Sequence, residues 1–199
     1  MILVLATANQ DKGAEIQSII GPQGLQIRHL SDYPIVLPPE TGLTYFENAA
    51  IKATTVSKAI HEWALGDDSG LEIAALHGDP GLYSARFAGE NVGYADNRKK
   101  VLDLLGHLPQ EKRGAKFVCT IVLSDPTGNV VVTAEGVCEG EITNAETGEG
   151  GFGYDPIFYL PQYGKTFSEL TQDEKNRVSH RGKAIRKAIA ILLSKVRDA

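Results

Sequence analysis

The amino-acid sequence predicts an α/β protein with a mixed β-sheet and flanking helices. Strand-like and helix-like patterns alternate over roughly the first half of the chain, an order typical of parallel strands joined by helices. Two runs rich in β-branched residues follow at 116–123 and 130–142, and the turn sequence SDPTGN between them predicts an antiparallel hairpin. No linker is long enough to separate independent domains, so we expect a single domain over residues 1–199.

Three elements are predicted near the N-terminus. Residues 2–6 are apolar and suit a buried strand, and the segment TANQDKG leads into a short helix whose Ile16, Ile19 and Ile20 share one face. The segment LQIRHL predicts a second strand. Three prolines then predict a loop over SDYPIVLPPETG.

The clearest helix is predicted for the segment TYFENAAIKATTVSKAI. Thr44 and Glu47 form a capping-box signature, worth about 1 kcal/mol at the cap. An apolar stripe with helical spacing comprises Phe46, Ala49, Ala50, Ala53, Val56 and Ile60. Glu40 therefore lies in the loop just before the helix begins.

Two adjacent aspartates, Asp67 and Asp68, follow the next apolar run in the segment GDDSGLEI. Their neighbours Gly66 and Ser69 are common turn residues, so the local composition favours a polar turn. The alternative is a metal-binding carboxylate at a strand end. Because successive side chains of an extended chain point to opposite faces, only one of the two aspartates would then reach the metal. A second carboxylate would have to come from elsewhere in the chain.

The remaining elements are less regular. The long segment HGDPGLYSARFAGENVG is irregular, and DNRKKVLDLL predicts a short helix with Val101, Leu102 and Leu105 facing inward. Four glycines occur between positions 148 and 153. A last helix is predicted to begin near Ser179, with an apolar face formed by Ile185, Ile189, Leu192 and Val196.

Composition narrows the possible partners. Acidic residues outnumber basic ones, 25 against 20, and the chain has no long basic run, which argues against a polymeric nucleic acid as the main partner. A small phosphorylated ligand is compatible with this charge, because a metal ion can supply positive charge. The sequence contains no run of 18 or more apolar residues, so no membrane-spanning helix is predicted. The N-terminus lacks the pattern of a secretory signal.

The chain has two cysteines, Cys119 and Cys138, both within apolar segments. The predicted hairpin sets Cys119 opposite Glu135, not opposite Cys138, so we expect two buried, reduced thiols. Neither cysteine stands beside a histidine that would suggest a nucleophile. These features indicate a cytoplasmic protein.

Four segments could bind an anion or a metal, and each also has a purely structural interpretation. In TANQDK, Thr7, Asn9 and Lys12 could bind phosphate at a helix N-terminus, or the first two could simply close the turn while Lys12 is solvated. Glu40 could be a ligand of a hard cation or a solvated loop acid.

The other two segments lie in the last third of the chain. In GGFGYDP the glycines would let the backbone approach a flat ligand, or would only form a turn. In TQDEKNRVSHRG, Lys175, His180 and Arg181 could bind phosphate or a carbonyl oxygen, or could belong to a charged loop with a capping serine. Together the four segments favour a nucleotide site.

The chain resembles the inosine/xanthosine triphosphate pyrophosphatases, also called the Ham1 or RdgB-like family. The resemblance rests on LATANQDK, ETGLTYFENAAIKA, GDDSGLEIAAL, PGLYSARFAG, KFVC, GGFGYDPIF and DEKNRVSHRGKA, in this order, from about Leu3 to Ala190. It implies an elongated mixed α/β sheet with two lobes around a central cleft, usually in a homodimer. It also implies Mg²⁺-dependent hydrolysis of ITP, dITP and XTP to the nucleoside monophosphate and pyrophosphate.

The resemblance also implies roles for individual residues. The metal carboxylates are Glu40 and Asp68, and Asp68 is in addition the proton acceptor, which leaves a structural role for Asp67. The implied substrate-binding residues are Thr7, Ala8, Asn9, Gln10, Asp11, Lys12, Ser69, Phe152, Gly153, Tyr154, Asp155, Lys175, His180 and Arg181. Within this set we expect Arg181 and backbone N–H groups of the FGYD turn to read the C6 oxygen of the base.

Two departures from the family pattern and two rival functions remain. Ala74 stands where relatives often carry Asp, and Lys116 where many carry Arg. The rivals are a Maf-type pyrophosphatase for pyrimidine or modified nucleotides, and a nucleotide sensor without turnover. The segments GGFGYDPIF and SHRG fit the purine family better than the Maf type, and a sensor would not need a general base.

Overall fold

The computed structural model describes residues 1–21 and 24–197. Seven strands form one sheet in the order β2-β1-β3-β4-β5-β6-β7. The strands are β1 Ile2–Leu5, β2 Gln26–His29, β3 Trp63–Ile73, β4 Gly114–Ser124, β5 Val130–Ile142, β6 Phe158–Leu160 and β7 Lys165–Thr166. The helices are α1 Gln10–Ile20, α2 Tyr45–Ile60, α3 Tyr94–Leu105, α4 Gln172–Val178 and α5 His180–Arg197.

The sheet is mixed, as the sequence predicts. β1 pairs in parallel with both β2 and β3, whereas β5 pairs antiparallel with β6, and β6 with β7. The parallel part corresponds to the alternating strands and helices of the N-terminal region, which join strands by crossover connections. No helix of the described residues is long and apolar enough to cross a membrane.

The chain divides into two compact units. The first comprises Met1–Asp68, Cys119–Gly136 and His180–Ala199, and the second Ser69–Val118 and Val137–Ser179. The long strands β3, β4 and β5 each contribute residues to both units.

The first unit buries apolar side chains of β1, α1, β4 and α5. Leu3, Leu5, Ile16, Ile121 and Ile189 are among the buried members of this core. The predicted faces of α1 and α5 are thus confirmed for Ile16, Ile20, Ile185, Ile189 and Leu192, while the side chain of Val196 lies outside the described residues. Burial of such side chains is the main stabilising contribution in a unit of this size.

Helix α2 begins as predicted but differs at one face residue. The Thr44 hydroxyl caps the helix by accepting from the Glu47 N–H at 3.1 Å. The Glu47 carboxylate accepts from the Leu43 N–H, one residue earlier than a capping box would place that bond. Ala49, Ala53 and Val56 are buried, but Phe46 is 44% exposed, because the stripe turns toward solvent in the first helical turn.

The second unit has a core of its own, centred on aromatic rings. The Phe117 ring centroid lies 4.6 Å from that of Phe158 and 5.8 Å from that of Phe167. Val101 and Leu105 of α3 are buried in the same core, as the sequence predicts for that helix. Both cysteines are buried and neither forms a disulfide, as the sequence predicts.

One sequence prediction about local structure is wrong, and one short helix was not predicted. The segment GDDS is not a turn: Asp67 and Asp68 lie in the middle of the continuous eleven-residue strand β3. Turn-forming composition was outweighed here by strand pairing and side-chain partners. The seven-residue helix α4 was missed, although its Thr171 cap and Glu174 form a capping box, which is a sequence signature of a helix start.

Candidate functional site

The β1–α1 turn presents one cationic side chain and closes itself with two polar ones. Thr7 Oγ1 accepts from the Asn9 N–H at 3.2 Å, and Asn9 Oδ1 accepts from the Lys12 N–H at 3.1 Å as the helix N-cap. Lys12 is not solvated: its Nζ lies 2.7 Å from Asp67 Oδ1. The acceptor atoms of Thr7 and Asn9 thus form the turn, while Lys12 is held by a buried carboxylate.

Asp67 is the centre of a buried charge cluster. Besides Lys12, its carboxylate accepts from Arg181 Nε at 3.0 Å and from the Cys119 thiol at 3.1 Å. The Arg181 guanidinium also donates to Glu15, so Arg181 joins two carboxylates. Asp67 and Arg181 are 1% and 2% exposed. Asp67 is therefore surrounded by two cations and a thiol.

The charges of this cluster stabilise one another. Burial alone would raise the pKa of Asp67, but Arg181 and Lys12 outweigh burial and hold that pKa well below its ordinary value. Burial would likewise lower the pKa of Arg181, yet Asp67 and Glu15 raise it. The pKa of the Cys119 thiol is raised by burial and by the charge of Asp67, so the thiol stays protonated and donates.

The neighbouring residue, Asp68, belongs to a second polar group. Asp68 Oδ2 accepts from Asn48 Nδ2 at 3.2 Å, and Oδ1 accepts from Lys52 Nζ at 3.3 Å. The same Lys52 Nζ lies 2.6 Å from Glu40 Oε1. Two carboxylates that are far apart in sequence therefore meet at one cation, as the predicted metal pair requires. Burial raises the pKa of Asp68 even though Lys52 and Lys12 act against it.

Strand alternation separates these two polar groups. Asp67 contacts Lys12, Cys119 and Arg181, whereas Asp68 contacts Asn48 and Lys52 of α2. Adjacent residues of a strand point to opposite faces, so each aspartate has its own set of partners. Lys52 was missed by sequence reasoning, which treated α2 only as an amphipathic helix. Its position one turn after Asn48, on the same face, was the available signal.

In the second unit, Lys175 organises the glycine-rich turn. Lys175 Nζ donates to Asp155 Oδ2 at 2.6 Å and lies 4.6 Å from the centre of the Phe152 ring. Asp155 Oδ2 also accepts from the Phe152 N–H at 2.8 Å. Gly151 is required here, because a Cβ at this position would lie 2.1 Å from the Asp155 carboxylate. The turn is therefore held by a buried ion pair.

The other predicted substrate residues differ in accessibility. Ala8 is exposed on the β1–α1 turn, and Gln10 and Asp11 are exposed in the first turn of α1. Ser69 is half-buried in β3, and His180 is buried at the start of α5. Tyr154 is buried and its hydroxyl donates to the Ser84 carbonyl at 2.8 Å. Gly153 precedes it with a φ of 65°, a conformation that favours glycine.

The two departures from the family pattern line the same groove of the second unit. Ala74 and Lys116 both border this groove of about 370 Å³. Lys116 Nζ lies 3.1 Å from Glu72 Oε2, so this lysine forms a surface ion pair. Ala74 and Lys116 belong to the second unit, whereas Glu40 and Asp68 belong to the first.

Comparison with known proteins identifies the family. The model of the Ham1 family matches residues 3–191. The chain belongs to the Ham1 family. A curated dITP/XTP pyrophosphatase from Desulforamulus reducens is 48% identical over 96% of each chain, and one from Halalkalibacterium halodurans is 47% identical over 92% of this chain and 94% of its own.

Solved Ham1 structures share the fold. A HAM1 protein from Coxiella burnetii superposes with a TM-score of 0.87 at 39% identity, covering 98% of this chain and 99% of its own. The Staphylococcus aureus Ham1 protein gives a TM-score of 0.85 at 39% identity, covering 98% and 100%. The mixed α/β fold predicted from the sequence is thus confirmed as that of the Ham1 family.

Proposed function

We propose that this chain hydrolyses ITP, dITP and XTP to the nucleoside monophosphate and pyrophosphate, and so removes these nucleotides from the cellular pool. The observation that carries the proposal is the convergence of Glu40 and Asp68 on Lys52, at 2.6 and 3.3 Å, beside the buried Lys12–Asp67 pair. The names of the curated relatives, dITP/XTP pyrophosphatases, support the same activity.

Glu40 and Asp68 would hold a divalent cation, which we propose to be Mg²⁺. The two residues fit such an ion, because both carboxylates already approach one cation, the Lys52 ammonium, and hard cations prefer oxygen ligands. The described residues contain no group of three or more acidic, histidine or cysteine side chains that could hold a metal. Phosphate and water oxygens would therefore complete the ligand set, as is common for Mg²⁺. When bound, the cation would neutralise charge on the phosphates.

Asp68 would accept the proton of the attacking water. A new bond forms between the water oxygen and the α-phosphorus, the bond from the α-phosphorus to the bridging oxygen breaks, and pyrophosphate leaves. Asn48 and Lys52 hold the Asp68 carboxylate in one orientation, and its burial increases its basicity. Lys12 would stabilise negative charge on the phosphates, and we assign the same role to Lys175.

Base recognition would depend on donors that face the C6 oxygen of hypoxanthine or xanthine. Adenine carries an amino group at C6, so a buried donor is left unpaired when adenine binds, and such mismatches reject an analogue by up to about 10⁴- to 10⁵-fold. We assign these donors to the backbone of the FGYD turn and keep Arg181 as a candidate. His180 would help to hold the base. The contacts of Arg181 with Asp67 and Glu15 also fit a second role, in which Arg181 holds these two carboxylates in place.

The decisive test is pyrophosphate release from ITP, XTP, dITP, GTP, ATP and dTTP, with Mg²⁺ and with a chelator. We expect release from the first three only, loss of release with the chelator, and a fall in kcat of at least about 10²-fold in Asp68→Asn. Tight ITP binding without release would favour the nucleotide sensor. A preference for dTTP would favour the Maf-type activity, and near-normal kcat in Asp68→Asn would remove this residue from the base role.

We also propose that the enzyme is a cytoplasmic homodimer that acts on free nucleotides and needs neither nucleic acid nor a membrane. The family resemblance supports the dimer, and the acidic net charge of −5 argues against nucleic-acid binding. Light scattering after size-exclusion chromatography should give twice the chain mass of 21.4 kDa. A monomer that retains full activity would contradict the dimer.

A further inference from the structure

Helix α3 contacts the glycine-rich turn through Arg98. Arg98 Nη1 donates to the Gly153 carbonyl at 2.8 Å, and Arg98 Nε lies 2.9 Å from Glu146 Oε1. Glu146 and Gly153 are seven residues apart in the same loop, so one guanidinium bridges its two ends. The Arg98 side chain is only 16% exposed, which strengthens its bond to the Gly153 carbonyl, whereas Glu146 is 42% exposed and forms the weaker, more solvated ion pair.

The helix that carries Arg98 is firmly anchored. Val101 and Leu105 are at most 1% exposed in the core of the second unit. Asn97 accepts from the Ala88 N–H at 2.7 Å and donates to the Ala85 carbonyl at 3.1 Å. A side chain on such an element can hold a loop in place more accurately than another loop could.

The bond from Arg98 determines which way the next N–H points. A trans peptide is planar, with its C=O and N–H on opposite sides, so a Gly153 carbonyl directed at Arg98 directs the Tyr154 N–H away from Arg98. Within the described part of the chain this N–H has no hydrogen-bond acceptor, although the Tyr154 carbonyl accepts from the Ile157 N–H. Tyr154 is 2% exposed, and a buried backbone donor normally has a partner.

We propose that Arg98 is a positioning residue for base recognition, which rests on the proposed function. Its guanidinium fixes and polarises the Gly153–Tyr154 peptide, so that the Tyr154 N–H donates to the C6 oxygen of hypoxanthine or xanthine. A cation at the carbonyl end of a peptide strengthens the donor at the other end. The amino group of adenine offers no acceptor to this N–H, so the same bond favours ITP over ATP.

The proposal is tested with Arg98→Met, which keeps the aliphatic stem, and Arg98→Lys, which keeps the charge. For Arg98→Met we expect KM for ITP to rise about tenfold, kcat to stay within about twofold, and the ITP-to-ATP ratio of kcat/KM to fall about tenfold. Arg98→Lys should recover part of this ratio. Binding of IMP, measured by calorimetry without metal, should weaken by a similar factor in Arg98→Met.

Two controls separate this role from a merely structural one. Lys99→Met changes the next residue of the same helix, whose side chain is 73% exposed, and should leave the ratio unchanged. Glu146→Gln removes the ion pair but keeps the bond to Gly153, so it should change the ratio by less than about threefold.

Three outcomes would overturn the inference: equal losses on ITP and ATP in Arg98→Met, a lowered melting temperature with an unchanged ratio, or a Glu146→Gln effect as large as that of Arg98→Met. These outcomes are distinct from failure of the proposed function, which would appear as wild-type protein that does not hydrolyse ITP.

Discussion

At the scale of single residues, Asp67 is the central carboxylate of the buried charge cluster. Its carboxylate faces Lys12, Arg181 and the Cys119 thiol, all within 3.1 Å. Replacing it with a neutral group would leave the buried Arg181 and the partly buried Lys12 without their shared partner. Removing one partner of a buried ion pair is much more costly than exchanging the whole pair for apolar residues. Asp67 therefore combines a role in stability with the placement of Lys12.

We predict that Asp67→Asn lowers the free energy of unfolding at pH 7 by about 3 to 5 kcal/mol, measured by urea denaturation. The folded-state pKa of Asp67 lies well below its ordinary value of 3.8. The stabilisation is therefore complete above that value and is lost as the pH falls below it. The difference between wild type and variant should narrow on acidification below about pH 4.

The matched control for this prediction is Asp103→Asn. Asp103 also pairs with a lysine, Lys99 at 2.6 Å, but both side chains are more than half exposed. An exposed pair contributes little, so this variant should unfold at the same urea concentration as the wild type. If Asp67→Asn behaved like the control, the charge cluster would not be a major source of stability.

The residues of the candidate site show what sequence can and cannot predict. Motifs that indicate phosphate and metal chemistry include Thr7, Asn9, Lys12, Glu40 and Asp68. The alternation of side chains along a strand assigns Asp67 and Asp68 to different faces. Lys52 has no such motif, because a lysine in an amphipathic helix is normally solvated. Its role depends on how α2 packs on β3, which is a tertiary property.

At the scale of elements, the same limit explains the prediction of a turn at GDDS. Gly66 and Ser69 are favourable in turns, but Gly66 serves a packing contact instead. A Cβ at Gly66 would lie 2.1 Å from the Ala49 carbonyl oxygen and 3.1 Å from the Ala53 nitrogen of α2. The glycine thus permits close approach of a helix to a strand. A pattern read along the chain does not contain this contact.

We predict that Gly66→Ala lowers the free energy of unfolding by about 1 to 3 kcal/mol or more, since overpacking displaces backbone. Turnover should fall as well, because α2 carries Asn48 and Lys52 while β3 carries Asp68, and these side chains meet at 3.2 and 3.3 Å. Urea denaturation and pyrophosphate release from ITP measure the two effects.

Gly114→Ala is the matched control on another strand. A Cβ at Gly114 would meet no atom within 4 Å, so this substitution should change the free energy of unfolding by no more than about 0.5 kcal/mol. Equal stability of the two variants would show that the approach of α2 to β3 is not tight at Gly66.

At the scale of the whole molecule, the two units have separate cores but share three strands. One core contains Leu3, Leu5 and Ile189, and the other contains Phe117 and Phe158. β3, β4 and β5 each contribute residues to both units, so neither unit is a continuous segment that could be cut from the chain. Such sharing favours a single cooperative unfolding transition.

We predict that the single tryptophan reports unfolding of both units. Trp63 lies in the first unit, so its fluorescence and the far-UV circular dichroism should give the same urea midpoint.

Phe158→Leu should lower the free energy of unfolding by about 1 kcal/mol or more, because Phe158 is fully buried against Phe117 and Phe167 in the second unit. If the shared strands couple the units, this variant shifts the Trp63 midpoint as far as the circular-dichroism midpoint. Leu104→Ala, at a side chain that is 53% exposed, should shift neither. A Trp63 midpoint that stays in place while circular dichroism reports an earlier transition in Phe158→Leu would mean that the units unfold independently.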